Sequence, residues 1–383
     1  MANEDKAARY HRLRRQASLA GTTAAALLLF VLVVSGAAAT LRTIVEGVTG
    51  GLFIPGVVLY AAVLVLACDL LGLPLAFYQG MTLEHRYGLS TQSAAAWFRD
   101  HARATVVAIV FLSAGALIVA TLMRWMPAYW WATGTLIFGG LLSVLARIAP
   151  VVLMPLFYHI APLDRPSLSE RLLALAERAG VPALGVFEWR LGDRTRKANA
   201  ALAGAGRTRR ILLSDTLLAH HSEDEIEVIV AHELAHHVHH DMRTGLVVET
   251  AIIGAGLYAA DWVMAAAAGR FGSTGKDDLA LLPLGALALG AASLLLMPLA
   301  HAVSRAHERR ADSYALEMTR NPGAFVSAMR RLSAQNLAED RPPALIEWLL
   351  HSHPSTAGRI AAASAWRPAG VVSDPRRSDP GRS

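Results

Sequence analysis

Apolar runs long enough to cross a bilayer constrain this chain more than any other feature. No charge appears from Gln16 to Leu41. Gly47–Cys68 is also uncharged, and its apolar character continues past Asp69 to about Tyr78. Ala104–Met123 and Trp125–Ala146 follow, the latter extended past Arg147 toward His159. Thr244–Gly269 carries Glu249 and Asp261, and Leu279–Ala300 contains Pro283 and Pro298. A hydrocarbon core about 30 Å thick is crossed by ~20 helical residues, and backbone polar groups are satisfied there only in helices or closed barrels. The sequence therefore predicts a mainly α-helical polytopic membrane protein with about six transmembrane helices. Composition agrees: 54% of residues are hydrophobic and 17% charged, against about 25% charged in soluble proteins. The single cysteine, Cys68, excludes an internal disulfide and Cys-based zinc motifs.

Charge placement sets the expected orientation. Lys6, Arg9, Arg12, Arg14 and Arg15 precede the first run, which is too long for a cleaved signal and reads as a retained anchor. Arginines also crowd Leu163–Arg243. Both regions are expected in the cytoplasm, and an even number of spans returns the C-terminus there. Abundant Ala, Arg and Gly point to a bacterial origin, hence to the bacterial inner (cytoplasmic) membrane. The bilayer is the expected partner, and no nucleic-acid partner is expected. Charged groups at membrane depth (Asp69, Arg147, Glu249, Asp261, His159) leave a transporter reading open, as chamber lining or internal pairs also would.

The expected organisation is a basic cytoplasmic tail (1–18), a four-span N-terminal membrane domain (19–160), a cytoplasmic α/β region (161–243), a membrane hairpin of two spans (244–303), a C-terminal helical segment (304–366) and a disordered tail (367–383). Within the α/β region, Ser167–Glu170 reads as a capping box opening a helix, and Ser222–Glu225 as a second. Gly185–Arg190, Lys197–Ala203 and Arg209–Leu213 read as strands.

The second capping box starts a helix containing His232-Glu233-Leu234-Ala235-His236. An i, i+4 spacing sets both imidazoles on one face, where they can share one Zn2+ ion per chain. Glu233 then lies beside the metal as general base toward a metal-activated water. The alternative is a solvated His-rich face, since His237, His239 and His240 follow. A third ligand is required. Glu308 is the candidate, with Asp312 one turn along the same face placed to hydrogen-bond a liganding imidazole. The alternative for Glu308 is an ion pair with Arg305 or Arg309. An intact Glu233 favours an enzyme over a scaffold with a structural metal, which needs no general base.

With these motifs, the chain resembles the type-1 CAAX prenyl protease family of integral-membrane zinc metalloendopeptidases. Glu308-x-x-x-Asp312, preceded by Ser304-Arg305, resembles the family's second zinc motif. Lys197–Ala200 with Arg210–Leu218 resembles its substrate-strand region, His353-Pro354 with Arg359 its C-terminal motif, and Glu84–Ser90 its membrane-domain loop. The resemblance implies a helical membrane barrel around a chamber, with the zinc site at the cytoplasmic end. It implies cleavage of peptide or membrane-protein substrates, in processing or quality control. It gives His353 and Arg359 a catalytic role in stabilising the tetrahedral intermediate, and Asn199 and Ala200 a substrate-binding role. Without it, His353 reads equally as a loop histidine and Asn199 as a turn residue. Six spans, where eukaryotic members have seven, and the small-residue stretch Ala201–Arg207 set this chain apart and make a prenylated substrate unexpected.

Overall fold

The computed structural model describes residues 2–152, 158–204 and 208–368. Most of the expected disordered tail and part of Ala201–Arg207 lie outside them. Among the described residues, six helices are long and apolar enough to cross a membrane. They are carried by α1 (Ala2–Val34), α3 (Phe53–Phe77, continued by a π-helical turn at Tyr78–Leu83), α4 (Ala94–Trp125), α5 (Trp130–Val152), α9 (Asp241–Ala267) and α10 (Leu282–Thr319). A shorter α2 (Ala37–Thr49) joins α1 to α3.

These six form a closed ring: α1 packs on α3, α3 on α4, α4 on α5, α5 on α9, α9 on α10, and α10 back on α1. Only 11–22% of the most apolar window of each helix is buried. Most of their apolar surface is exposed, as expected of spans that face lipid. Small residues permit the tight crossings, as in membrane bundles generally. A Cβ on Gly256 would clash with Leu289 Cδ1, and one on Gly285 would lie 2.7 Å from Met264 Sδ.

Span boundaries differ from the apolar runs where glycines break the chain. The first helix stops at Val34, before Gly36 at φ 77°, rather than at Leu41. The second span starts at Phe53, after Gly50 and Gly51 at φ 62° and 72°, not at Gly47. The intervening Arg42 pairs with Asp278, and Lys276 Nζ donates to Pro127 O (2.7 Å) and Asp261 Oδ1 (2.9 Å), gathering these loops at one end of the ring. Asp69 meets His101 at 3.2 Å and Thr105 at 3.1 Å, so two of the acids at membrane depth are internally paired.

At 33 residues, α1 is about 50 Å long and overshoots the hydrocarbon core. Its basic residues Lys6, Arg9, Arg12, Arg14 and Arg15 thus lie on the helix itself. Tyr10 is buried and donates to Glu84, which Lys197 Nζ also meets at 2.9 Å; Arg15 pairs with Glu339 at 2.8 Å. The Leu89 carbonyl accepts from Arg196 N at 2.9 Å, and Thr91 N donates to Arg194 O at 3.1 Å. The start of α1 therefore lies at the end of the ring that carries the α/β region.

That region holds a four-stranded sheet in the order β1-β2-β4-β3, formed by β1 (Ile160–Pro162), β2 (Gly185–Trp189), β3 (Ala200–Ala203) and β4 (Arg210–Ser214). The unforeseen β1 pairs antiparallel with β2, β2 parallel with β4, and β3 antiparallel with β4. α6 (Pro166–Arg178) begins with Pro at N1 after an Arg165 N-cap, so the expected Ser167–Glu170 capping box does not form. Proline's fixed φ and missing N–H suit that first turn and move the start upstream of Ser167. A short α7 (Asp215–His220) leads to α8 (Glu223–Val238), where the Ser222–Glu225 capping box is complete. After α10 come α11 (Pro322–Asn336), α12 (Ala344–Leu350) and α13 (Thr356–Ala365). Leu172, Leu175, Ile211, Leu213, Ile226, Val230, Leu234, Ala315 and Phe325 share one core beneath the site.

Candidate metal centre

Helix α8 is enclosed on most sides: Ile226, Val228, Ile229, Val230, Ala231, Leu234 and Ala235 are all buried. Its tight packing fixes the rotation at which His232 and His236 face α10. On α10, Arg305, Glu308, Ala311, Asp312 and Ala315 form the buried stripe toward it. At 38 residues, about 57 Å, that helix is long enough to span and still carry Glu308 and Asp312 out to α8.

His232, His236 and Glu308 each offer a ligand atom, and these atoms lie within 4.8 Å of one another. The two Nε2 atoms face each other at 3.3 Å. His232 Nδ1 is 2.9 Å from Asp312 Oδ1, and His236 Nδ1 is 2.9 Å from Asp241 Oδ2. Ionised carboxylates only accept, so each Nδ1 carries its proton and each Nε2 turns a lone pair toward the shared point. Burial alone would lower the His232 pKa, but the negative field of Asp312 and Glu308 outweighs it. That field favours a cation. Glu308 Oε2 is buried without a hydrogen-bond partner, although His353 Nδ1 (2.8 Å), His232 Nε2 (3.3 Å) and Arg359 Nη2 (3.9 Å) surround it. An orphaned carboxylate oxygen and two converging imidazole lone pairs fit zinc's preference for N and O ligands. Neither Arg305 nor Arg309 pairs with Glu308 among the described residues.

Glu233 projects from the same turn of α8, with no protein hydrogen-bond partner among the described residues. Burial raises its pKa, opposed by His232, His236 and His353. Arg359 forks onto Asp312, Nε to Oδ2 at 2.8 Å and Nη2 to Oδ1 at 2.5 Å. Burial works against its charge, but Asp312, Glu308 and Glu233 outweigh it and raise its pKa. The guanidinium is thus committed to the carboxylate that holds His232. His353 is mostly exposed, with its Nδ1 directed at Glu308.

Asn199 and Ala200 lie at the start of β3, which packs beside α8 and has no neighbour on its outer edge among the described residues. Asn199 turns its main chain toward β4, donating to Ser214 Oγ (2.9 Å) and accepting from Ser214 N (2.9 Å). The expected strand Lys197–Ala203 is shorter because Ala198 is held from the outer side by the Asn336 side chain, whose Oδ1 accepts at 2.9 Å and Nδ2 donates at 3.2 Å. Leu202 O is 3.3 Å from His237 Nε2. Alternation along the strand leaves the N–H and C=O of Ala200 free on that edge. The extra histidines have other tasks: burial lowers the pKa of His237 and His239, and His239 packs edge-on against Tyr314 at 5.6 Å.

Sequence reasoning missed Asp241. It follows His240, a non-glycine residue at φ 57° that breaks α8 from α9 and turns the carboxylate back toward His236. Arg310 pairs with Asp241 from α10.

The profile of Peptidase family M48 matches residues 162–367, more than half of the chain. The chain belongs to Peptidase family M48. A second profile, described as CAAX prenyl protease N-terminal, five membrane helices, matches residues 2–159; here those residues supply four candidate spans and the 13-residue α2. An uncharacterized metalloprotease of Bacillus subtilis, YhfN, is 31% identical over 334 residues, 86% of this chain and 78% of that protein. A CAAX prenyl protease 1 homolog of Arabidopsis thaliana is 28% identical over 308 residues, 76% of this chain and 69% of the relative. The crystal structure of S. mikatae Ste24p shares the fold, with a TM-score of 0.82 at 20% identity, covering 94% of this chain and 88% of that one. This M48 peptidase is an integral-membrane zinc-dependent metalloprotease, and His232, His236 and Glu308 form a group that fits its metal.

Proposed function

We propose that one zinc per chain is held by His232, His236 and Glu308, and that the enzyme hydrolyses peptide bonds of extended segments delivered through the chamber. The observation carrying this reading is the convergence of both imidazole Nε2 atoms on the Glu308 carboxylate, His232 at 3.3 Å from Oε2 and His236 at 3.5 Å from Oε1. When bound, zinc supplies a Lewis acid that lowers the pKa of water and polarises a carbonyl. The chain's own residues do the rest. Glu233 accepts the proton of the attacking water; its raised pKa brings a carboxylate closer to working pH. It then returns the proton to the leaving amine. Asp312 and Asp241 hold the imidazole tautomers, and Arg359 holds Asp312. His353, through Nε2, donates to the substrate carbonyl oxygen as negative charge develops there. The substrate adds as a strand to the outer edge of β3, pairing with Ala200, beside Asn199. The site faces the cytoplasm of a bacterial inner membrane, because basic residues crowd the end of the ring that carries it. The domain limits 1–18, 19–160, 161–243, 244–303, 304–366 and 367–383 stand as the working division. Elemental analysis of purified protein should give about one equivalent of zinc. A His232→Ala/His236→Ala variant should give none, and full occupancy there would sink the ligand assignment.

A further inference from the structure

Three carbonyl oxygens converge on one guanidinium at the edge of the site. Arg305 lies one turn before Glu308 on α10 and is 9% exposed. Its Nη1 is 2.6 Å from His351 O, 3.2 Å from Glu347 O and 3.3 Å from Trp348 O. These carbonyls belong to the last turn of α12 and the residue that ends it; Glu347 O also accepts from His351 N at 3.2 Å, while Trp348 O and His351 O lie where a helix C-terminus offers no intrahelical donor. A cation there also meets the negative end of the helix dipole. No carboxylate lies within ion-pair distance of Arg305 among the described residues, so the carbonyls are what hold it. One turn earlier on α10, His301 Nδ1 is 2.9 Å from Leu349 O. On the far side of the turn, Ser355 N donates to Glu347 Oε1 at 3.1 Å. The His351–Pro354 turn is thus pinned at both ends to α10 and α12, and it presents His353 to Glu308.

We infer that Arg305 is a positioning residue for His353. The same helix that carries Glu308 grips, through Arg305, the turn that carries His353, so both groups keep one register relative to the substrate carbonyl. This rests on the reading of His353 given above. A freely hinged His353, more than half exposed, would spend most of its time away from the reacting carbonyl.

The test uses full-length, zinc-loaded enzyme in detergent with a peptide substrate. Four variants are compared: Arg305→Gln, Arg305→Lys, His353→Ala and the Arg305→Gln/His353→Ala pair. Arg305→Gln should lower kcat about 10–100-fold, as expected for one misplaced donor, with KM nearly unchanged. The pair should be no slower than His353→Ala alone, because both changes remove the same interaction. Arg305→Lys should recover part of kcat, since an ammonium still offers three donors to the carbonyls. Amide exchange at residues 351–353 should quicken in Arg305→Gln, with zinc content unchanged. Independent, multiplying losses in the pair would overturn the inference. So would a wild-type kcat in Arg305→Gln, or loss of zinc or of the fold in that variant, which would make Arg305 a strut of the metal site instead. If His353→Ala keeps full kcat, the catalytic reading of His353 falls, while quickened exchange would still support the grip of Arg305 on the turn.

Discussion

His236 is oriented by a carboxylate on another helix. Asp241 reaches back across the helix break at His240, and its own charge is balanced by Arg310. Such partners typically set about 10–100-fold in metal affinity. Asp241→Ala should therefore release zinc to a competing chelator about as readily as Asp312→Ala, with the fold intact. An affinity equal to wild type would return Asp241 to a helix N-terminal charge. This scale also shows what the sequence could and could not disclose. His232, His236, Glu308 and Asp312 were legible because i, i+4 spacing on a helix fixes a shared face. Asp241 was not, because its approach depends on one left-handed residue that no periodicity announces. Arg359 was singled out only through the family resemblance; its fork onto Asp312 is a contact that no spacing announces.

At the scale of elements, α8 depends on its capping box. Glu225 accepts from Ser222 N at 2.8 Å, and Ser327 and Arg331 also meet it. Burial pushes its carboxyl up, but these partners outweigh burial and lower its pKa below the ordinary carboxylate value. A carboxyl depressed in the folded state stabilises above its unfolded pKa and loses that contribution as pH falls through the folded one. Glu225→Gln should cost about 0.5–2 kcal/mol at neutral pH, and the deficit should shrink below about pH 4 as wild type becomes protonated. Thermal unfolding across pH checks this; a deficit constant with pH would contradict it. The Ser222 box was legible from residue type and spacing. The Ser167 box was a false match, because Pro166 supplied a better first position. Strand β3 was placed correctly but drawn too long, since Asn336, from a helix far along the chain, replaces a strand partner at Ala198.

For the whole molecule, apolar length gave the six spans, while Gly36, Gly50 and Gly51 moved their edges. Closure of the ring was expected only from the family resemblance and not from apolar length, because it depends on which helices meet, such as α1 with α10. The ring puts the start of α1 and the metal centre at one end, and Arg42, Lys276 and Asp278 at the other. In a Cys68→Ala background, a cysteine at the exposed Asp277 should react with an impermeant thiol reagent in intact cells. One at the exposed Glu223 should be shielded until the membrane is opened. Reversed labelling would put the catalytic end outside.

The account stands most directly on Glu233. In the proposed mechanism it ligates nothing and takes the proton of the attacking water, a task worth about 10²–10⁴-fold. Peptide cleavage should be measured alongside zinc content and thermal stability for wild type and Glu233→Gln. The variant should keep its zinc and its fold, bind substrate, and lose at least about 100-fold in turnover. Cleavage by Glu233→Gln at the wild-type rate would contradict the mechanism.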